Sequence, residues 1–365
     1  MRYVIEDTKY QFKTAFDTET GLYIRTGVLD DEGNDTGVDP FMASFPHLID
    51  VGVMGHCIHG KTGLCSKAGI GCYQSGFFVE QPNMSVEDFR WIARQCEGRC
   101  NQLALGGRGD PDQHECFEDL LKISREYNLV PNFTTSGYGM TPELAALCRK
   151  YCGAVAVSWY RSDYTLNAIK MLLDAGVKTN IHYVLGKNSI DEAIDRLKNN
   201  DFPEGINAVI FLLHKPAGQG SADNVLAPDD PKVKTFFAEF DNEHSFKIGM
   251  DSCNVSGAIQ FCKSIAVESL DTCEGGRYSC YIGPDMTMVP CSFDQDKIYQ
   301  VSLKNKNIEE AWNSEPFDRF RQHLYEACPD CKKKDMCMGG YPLMPEIVFC
   351  NNVERTYSME VSDED

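Results

Sequence analysis

Cys57, Cys65 and Cys72 fall on one glycine-rich stretch, CIHGKTGLCSKAGIGC, directly after the apolar run FPHLIDVGVMGH. Three thiolates on one loop point to metal. Structural zinc wants four ligands in a closed tetrahedron, commonly supplied by short C-x-x-C knuckles. The spacing here is C-x7-C-x6-C, with neither gap short. Three thiolates on a cubane iron–sulfur cluster instead leave one iron open to a substrate or cofactor. His56 and His59 are at hand to complete a zinc site, so the loop alone leaves both chemistries open.

A second cysteine-rich region follows near the C-terminus: CEGGRYSCYIGPDMTMVPC (273–291), CPDCKKKDMC (328–337) and Cys350. In isolation this suits a zinc knuckle as well. Seventeen cysteines are many for a chain that otherwise reads as cytosolic, where disulfides are kept reduced and clustered thiols bind metal. Their odd number argues against a fully paired disulfide framework. Cys96, Cys100, Cys116, Cys148 and Cys152 sit in helical patterns and read as small buried apolar residues.

The 365 residues, 42% hydrophobic, suffice for one large core or two modest ones. The N-terminus lacks the apolar stretch of a signal peptide and no apolar run approaches the ~18 residues of a membrane span. A cytoplasmic protein without a membrane segment is expected. The net charge of −19 repels a phosphate backbone, and the short basic run CKKKDMC is too small to offset it, so nucleic acid is not an expected partner.

Positioning the cysteines falls to a repeating unit. Between 48 and 213, short apolar runs (48–54, 102–107, 129–135, 154–159, 177–185, 207–213) alternate with amphipathic helical stretches. Ser85, Thr141, Asp163 and Ser189 are placed as N-caps and Gly176 as a helix stop. Six β–α units with strands buried on both faces predict an α/β fold with a parallel sheet rolled toward a partial barrel. The first cysteines follow strand one, GGRGDP follows strand two and SGYG follows strand three, so all three should meet at the C-terminal rim. Residues 1–45 read as an N-terminal β-hairpin element turning at DEGND, 46–230 as the barrel, and 231–365 as a linker helix with a cysteine-rich extension.

With these motifs in place, residues 48–350 resemble the radical S-adenosylmethionine (SAM) enzymes. That family has a partial TIM-like (β/α)6 barrel, a three-cysteine loop after strand one and a glycine-rich motif ending strand two, here LALGGRGDP. The resemblance implies a SAM-binding [4Fe–4S] cluster on Cys57, Cys65 and Cys72. It implies SAM contacts from Tyr73 in CYQSG, from Gly106, Gly107, Gly109 and Asp110, from Ser136 in NFTTSG, and from Ser158 and Arg161 in AVSWYRSD. The common spacing in the family is C-x3-C-x2-C, and Gly71 replaces the usual aromatic residue before the third cysteine.

The C-terminal region resembles the SPASM extension of that family. The resemblance implies one auxiliary cluster on Cys273, Cys280 and Cys291, and a second on Cys328, Cys331, Cys337 and Cys350. Met286 stands where the family has glycine and Tyr341 where it has a further cysteine; Cys253, Cys262, Asp294 or Tyr341 could close the first auxiliary cluster. The implied activity is reductive SAM cleavage to a 5′-deoxyadenosyl radical and hydrogen abstraction from a peptide or protein, installing a thioether or C–C crosslink or an oxidation. A flavodoxin- or ferredoxin-like reductant is the implied electron source. Formylglycine-forming sulfatase maturases carry an Asp where Ser292 follows Cys291, which ranks that activity lower. The residues also leave room for a small-molecule radical SAM enzyme and for a non-catalytic metal-binding protein.

Overall fold

A computed structural model describes residues 2–60, 62–266, 269–326, 331–333, 337 and 343–350. The chain opens with a three-stranded antiparallel sheet, β1 (Arg2–Asp7), β2 (Phe12–Asp17) and β3 (Tyr23–Arg25). The expected DEGND turn is present, with Leu29 bridging Asp35 and Asn34 donating its backbone N–H to Asp30 Oδ1 at 2.8 Å. The main hairpin, however, is the upstream β1–β2 pair.

Six parallel strands then alternate with helices: β4 (Leu48–Met54), β5 (Gln102–Gly107), β6 (Val130–Thr135), β7 (Val155–Ser158), β8 (Thr179–Leu185) and β9 (Ala208–Leu213). The intervening helices are α1 (Leu64–Lys67) and α2 (Val86–Cys96) after β4, then α3 (Phe117–Glu126), α4 (Pro142–Tyr151), α5 (Asp163–Asp174) and α6 (Ile190–Asn199). Ser85 and Thr141 accept backbone N–H groups from Asp88 and Leu144 as N-caps. The cap of α5 is Ser162 rather than Asp163, accepting from Thr165. The Ser189 side chain precedes α6 but is spent on the β8 end, donating to Val184 O at 2.7 Å.

Helix α7 (Pro231–Phe240) leads into β10 (Lys247–Met250), a seventh parallel strand against β9, followed by α8 (Val255–Phe261). At the opposite edge β11 (Ser279–Ile282) pairs in parallel with β4 and antiparallel with β12 (Thr287–Val289), which pairs with β13 (Val301–Ser302). One ten-stranded sheet therefore runs through barrel and extension. Helices α9 (Ile308–Trp312) and α10 (Glu315–Glu326) close the extension. Wholly buried Trp312 donates Nε1–H to Ala43 O at 2.9 Å, tying the extension to the segment before β4.

The strands are not apolar on both faces. Their outward residues, such as Ile49, Leu103, Ile181 and Tyr183, pack beneath the helices. The inward face is polar: Asn132 donates to Gln102 Oε1 at 2.9 Å, Asn207 to Asn180 Oδ1 at 2.7 Å, and Thr134 Oγ1 lies 3.1 Å from His182 Nδ1. These groups surround a lumen of about 320 Å³ whose lower end is lined by Thr18, Thr20 and Gly21 of the N-terminal sheet. Closed pairs satisfy the polar groups that a dry core would leave unmade.

Asp50 faces this interior from β4, and burial pushes its carboxyl up to about 7. Protein encloses the group, so loss of bulk water is the cause. A native pKa above the unfolded value means the native state holds the proton longer, so this group removes stability as pH rises from about 4 to about 7. Asp50→Asn is expected to leave the melting temperature unchanged near pH 4 and raise it at pH 8, by up to ~1.4 kcal/mol of stability for each pH unit crossed. Melting curves against pH check this; a pH-independent offset contradicts it.

Candidate functional site

The C-terminal ends of β4 to β6 meet at one rim, as the motif positions require. The long cysteine spacing has a local cause: a one-turn helix, α1, is inserted in the loop and carries Cys65. Cys57, Cys65 and Cys72 line one cavity of about 250 Å³ together with His59, Gly60, Phe77, Phe78 and Gln219. All three are half-buried thiols outside any disulfide.

The loop is organised around the sulfurs. Gly60 N–H donates to Cys57 Sγ at 3.1 Å and Gly76 N–H to Cys72 Sγ at 3.5 Å. The Tyr160 hydroxyl lies 3.2 Å from Cys65 Sγ. Gln219, in the loop after β9, donates its backbone N–H to Cys72 O at 2.9 Å, so the last barrel strand pins the third cysteine. Burial pushes the Cys57 thiol up and that of Cys65 to about 11, so without a bound cation these groups keep their protons. A metal reverses that preference, because coordination takes the thiolate.

Beside the cavity stands an acidic and hydroxylic cluster. Ser136 Oγ donates to Asp110 Oδ2 at 2.5 Å, and His59 Nε2 lies 3.3 Å from the same oxygen. Asp112 is held by Thr135 Oγ1 at 3.3 Å; burial first, and the Asp110 charge second, raise its carboxyl to about 7. Asp110 and Ser136 are thus brought to the cysteine loop as expected, while Asp112 is an addition.

The glycines divide the work. A side chain at Gly107, whose φ is +114°, would strike the Met54 backbone, and one at Gly109 would strike His56 O at 2.7 Å. These two let the β5 end lie against the cysteine loop. Gly106 faces open space.

Three expected SAM contacts are placed differently. Arg161 turns away to Glu192 Oε2 at 2.5 Å, and its neighbour Tyr160 is the side chain that reaches the loop. Ser158 ends β7, two residues before Tyr160. Tyr73 lies with its ring 4.4 Å from that of Phe293, so it joins the rim to the extension. Tyr160 sits directly before Arg161 in WYRSD, and their contacts with Cys65 and Glu192 show which of the two faces the cysteines.

In the extension, Met286 has a φ of +62°, which explains why glycine suits that position. Cys280 does not join Cys273 and Cys291. It sits in β11 opposite Ile49, buried among core side chains, with Cys100 and Cys96 as neighbouring thiols. Cys253 lies in the turn that Asp251 opens after β10, half-buried and outside any disulfide. Asp294 is spent on the Ile298 and Tyr299 backbone N–H groups, and the Cys262 thiol on Phe237 O. Cys331, Cys337 and Cys350 are half-buried; Cys328 and Tyr341 lie outside the described residues.

Zinc bonds of ~2.3 Å draw their ligands around a point. Among the described residues no three His, Cys, Asp or Glu side chains converge that tightly. The cysteine loop encloses a volume, which suits a multi-atom cluster. A larger open depression of about 750 Å³, near Glu87, Trp91 and Lys304, lies away from the cysteines. Among the described residues no helix is long and apolar enough to cross a membrane.

A family model of the SPASM iron–sulfur cluster-binding domain matches residues 273–332. No curated protein matches the sequence. Among solved structures, Streptococcus suis SuiB bound to its precursor peptide SuiA matches with a TM-score of 0.68 at 13% identity, over 96% of this chain and 99% of that one. SuiB bound to S-adenosylmethionine matches with a TM-score of 0.61 at 14% identity, over 82% and 74%. Native anSMEcpe with bound AdoMet matches with a TM-score of 0.57 at 15% identity, over 83% and 91%. The chain therefore has the fold of the radical SAM enzymes that bear an iron–sulfur SPASM extension.

Proposed function

We propose that this protein is a radical SAM enzyme acting on a peptide or protein, most simply by crosslinking or oxidising it. The observation that carries the reading is the meeting of three unbridged thiols around one cavity with Asp110 and Ser136 at the rim of a parallel barrel. A [4Fe–4S] cluster held there, with SAM, supplies a carbon radical able to take hydrogen from an unactivated C–H bond.

The residues of the chain do the rest. Cys57, Cys65 and Cys72 are the ligands, steadied by the Gly60 and Gly76 N–H groups and the Tyr160 hydroxyl. Asp110, with Ser136 and His59 on the same oxygen, is placed to hold a ligand ammonium, and Gly106 leaves space for one. Phe77 and Phe78 line the mouth and remain exposed, at 51% and 74%. Together with exposed Ile58 and Tyr138 they offer apolar surface to a substrate that covers the site and excludes water. The peptide reading draws on SuiB bound to a precursor peptide and on anSMEcpe bound to AdoMet and peptide.

The test is SAM cleavage after anaerobic reconstitution and dithionite reduction. Formation of methionine and 5′-deoxyadenosine is expected. Absence of both, in protein whose iron content shows the first cluster loaded, overturns the enzymatic reading and favours a structural metal protein.

A further inference from the structure

Between the cysteine loop and the extension runs a buried line of side chains that the first cluster does not use. Lys215, two residues beyond β9, is almost wholly enclosed; its Nζ donates to Asp251 Oδ2 at 2.6 Å and to Leu213 O at 2.9 Å, and lies 4.7 Å from the centre of the Phe293 ring. Asp251 opens the turn that holds Cys253, and Phe293 lies two residues past Cys291. Lys215 thus touches both cysteine-bearing segments. The third segment arrives through Gly275, where an added Cβ would stand 3.1 Å from Pro290 O and 3.6 Å from Cys273 Sγ. Cys273 is therefore packed against the backbone that carries Cys291.

We infer that Cys253, Cys273 and Cys291 together form a three-thiolate auxiliary iron–sulfur site, with the Lys215 ammonium as its buried counter-charge and with Cys280 outside it. The inference rests on the reading that this chain holds iron–sulfur clusters. It departs from the cysteine spacing, which nominates Cys280.

Strand geometry excludes Cys280. Successive residues of a strand point to opposite faces. Cys280 pairs with Ile49 and shares its helix-facing side, in a core of Cys96, Cys100 and Leu103. Asp50 and Tyr281, one residue on in each strand, take the opposite side. Cys253, by contrast, lies in the turn opened by Asp251, whose carboxylate meets the same Lys215 ammonium that stands over Phe293, two residues past Cys291. A buried thiolate-ligated cluster is anionic, and an anion taken from water needs a nearby cation. Lys215 is that cation, held in place by Asp251 Oδ2 at 2.6 Å.

The experiment uses the full chain, reconstituted anaerobically, in a background where Cys57, Cys65 and Cys72 are alanine so that only auxiliary clusters contribute. Iron and acid-labile sulfide per chain are measured with the EPR spectrum of the reduced protein. Cys253→Ala is expected to lower iron by one cluster's share, about half if two auxiliary clusters are present. Cys280→Ala, or Cys280→Val should the smaller residue unfold the core, is expected to keep the full content. Loss of iron in the Cys280 variants with retention in Cys253→Ala overturns the assignment, as does full retention in both. Should Cys253→Ala misfold, Cys253→Ser is read instead: an altered EPR signal supports the site and an unchanged one overturns it. Failure of the wild-type chain to cleave SAM bears on the enzymatic reading alone, because iron content is read without turnover.

Discussion

Replacing Cys57, Cys65 and Cys72 together by alanine is expected to reduce SAM cleavage to background, a loss of at least ~10³-fold for a step that has no catalyst without the group they hold. The three must be changed at once because the remaining thiols and His59 of the same cavity offer substitute ligands to a single variant. The extension, whose cysteines lie on other segments, should keep its iron. Retained 5′-deoxyadenosine formation, measured by chromatography on the triple variant, would show that the catalytic cluster sits elsewhere. Tyr160→Phe serves as the graded companion: it removes the hydroxyl 3.2 Å from Cys65 Sγ but leaves every thiol, so turnover should fall far less than in the triple variant.

Lys215→Met should destabilise the protein by about 3–5 kcal/mol, because it strands the Asp251 carboxylate beside the barrel core. Asp251 retains some solvent access, which places the expected loss toward the lower end. Pairing the change with Asp251→Asn should recover most of it, since the cost lies in the unpaired charge. Denaturant unfolding of the single and double variants at matched iron content measures both. The same substitution removes a positive charge beside Cys253 and Cys291, so the reduction potential of a cluster there should fall, a shift that a purely structural lysine would not produce. Equal stability of single variant and wild type would contradict the buried-pair account.

Much of the architecture is legible in the amino-acid order because strands and helices announce themselves by period. The runs at 48–54 and 102–107 coincide with β4 and β5, and the other four strands lie within the expected segments. The polar lumen is hidden by composition: Asn132, Asn180 and His182 lie inside runs that read as apolar, and their partners Gln102, Asn207 and Thr134 are distant in sequence. In the candidate site, types and spacing point to the three cysteines, Asp110 and Ser136. The resemblance takes Cys280 from its place in the row of cysteines, which does not reveal that its face of β11 packs among Cys96, Cys100 and Leu103. Cys253 carries no motif at all; Asp251 and Lys215, brought together from the ends of β10 and β9, are what mark its surroundings. Arg161 and Tyr160 are adjacent after β7, and only their partners, Glu192 and Cys65, tell them apart.

The parallel pairing of β11 with β4 also bears on how the protein stays dispersed. β4 has seven residues, of which Ile49, Val51, Val53 and Met54 are apolar and buried. Left bare, its outer row of N–H and C=O groups would be a template for pairing with another chain. β11 occupies the Leu48–Val51 part of that row, and β12 and β13 carry the sheet on to a two-residue margin. The cysteine-rich extension is thus the barrel's guard against edge-to-edge aggregation, so the barrel cannot shed it without becoming adhesive.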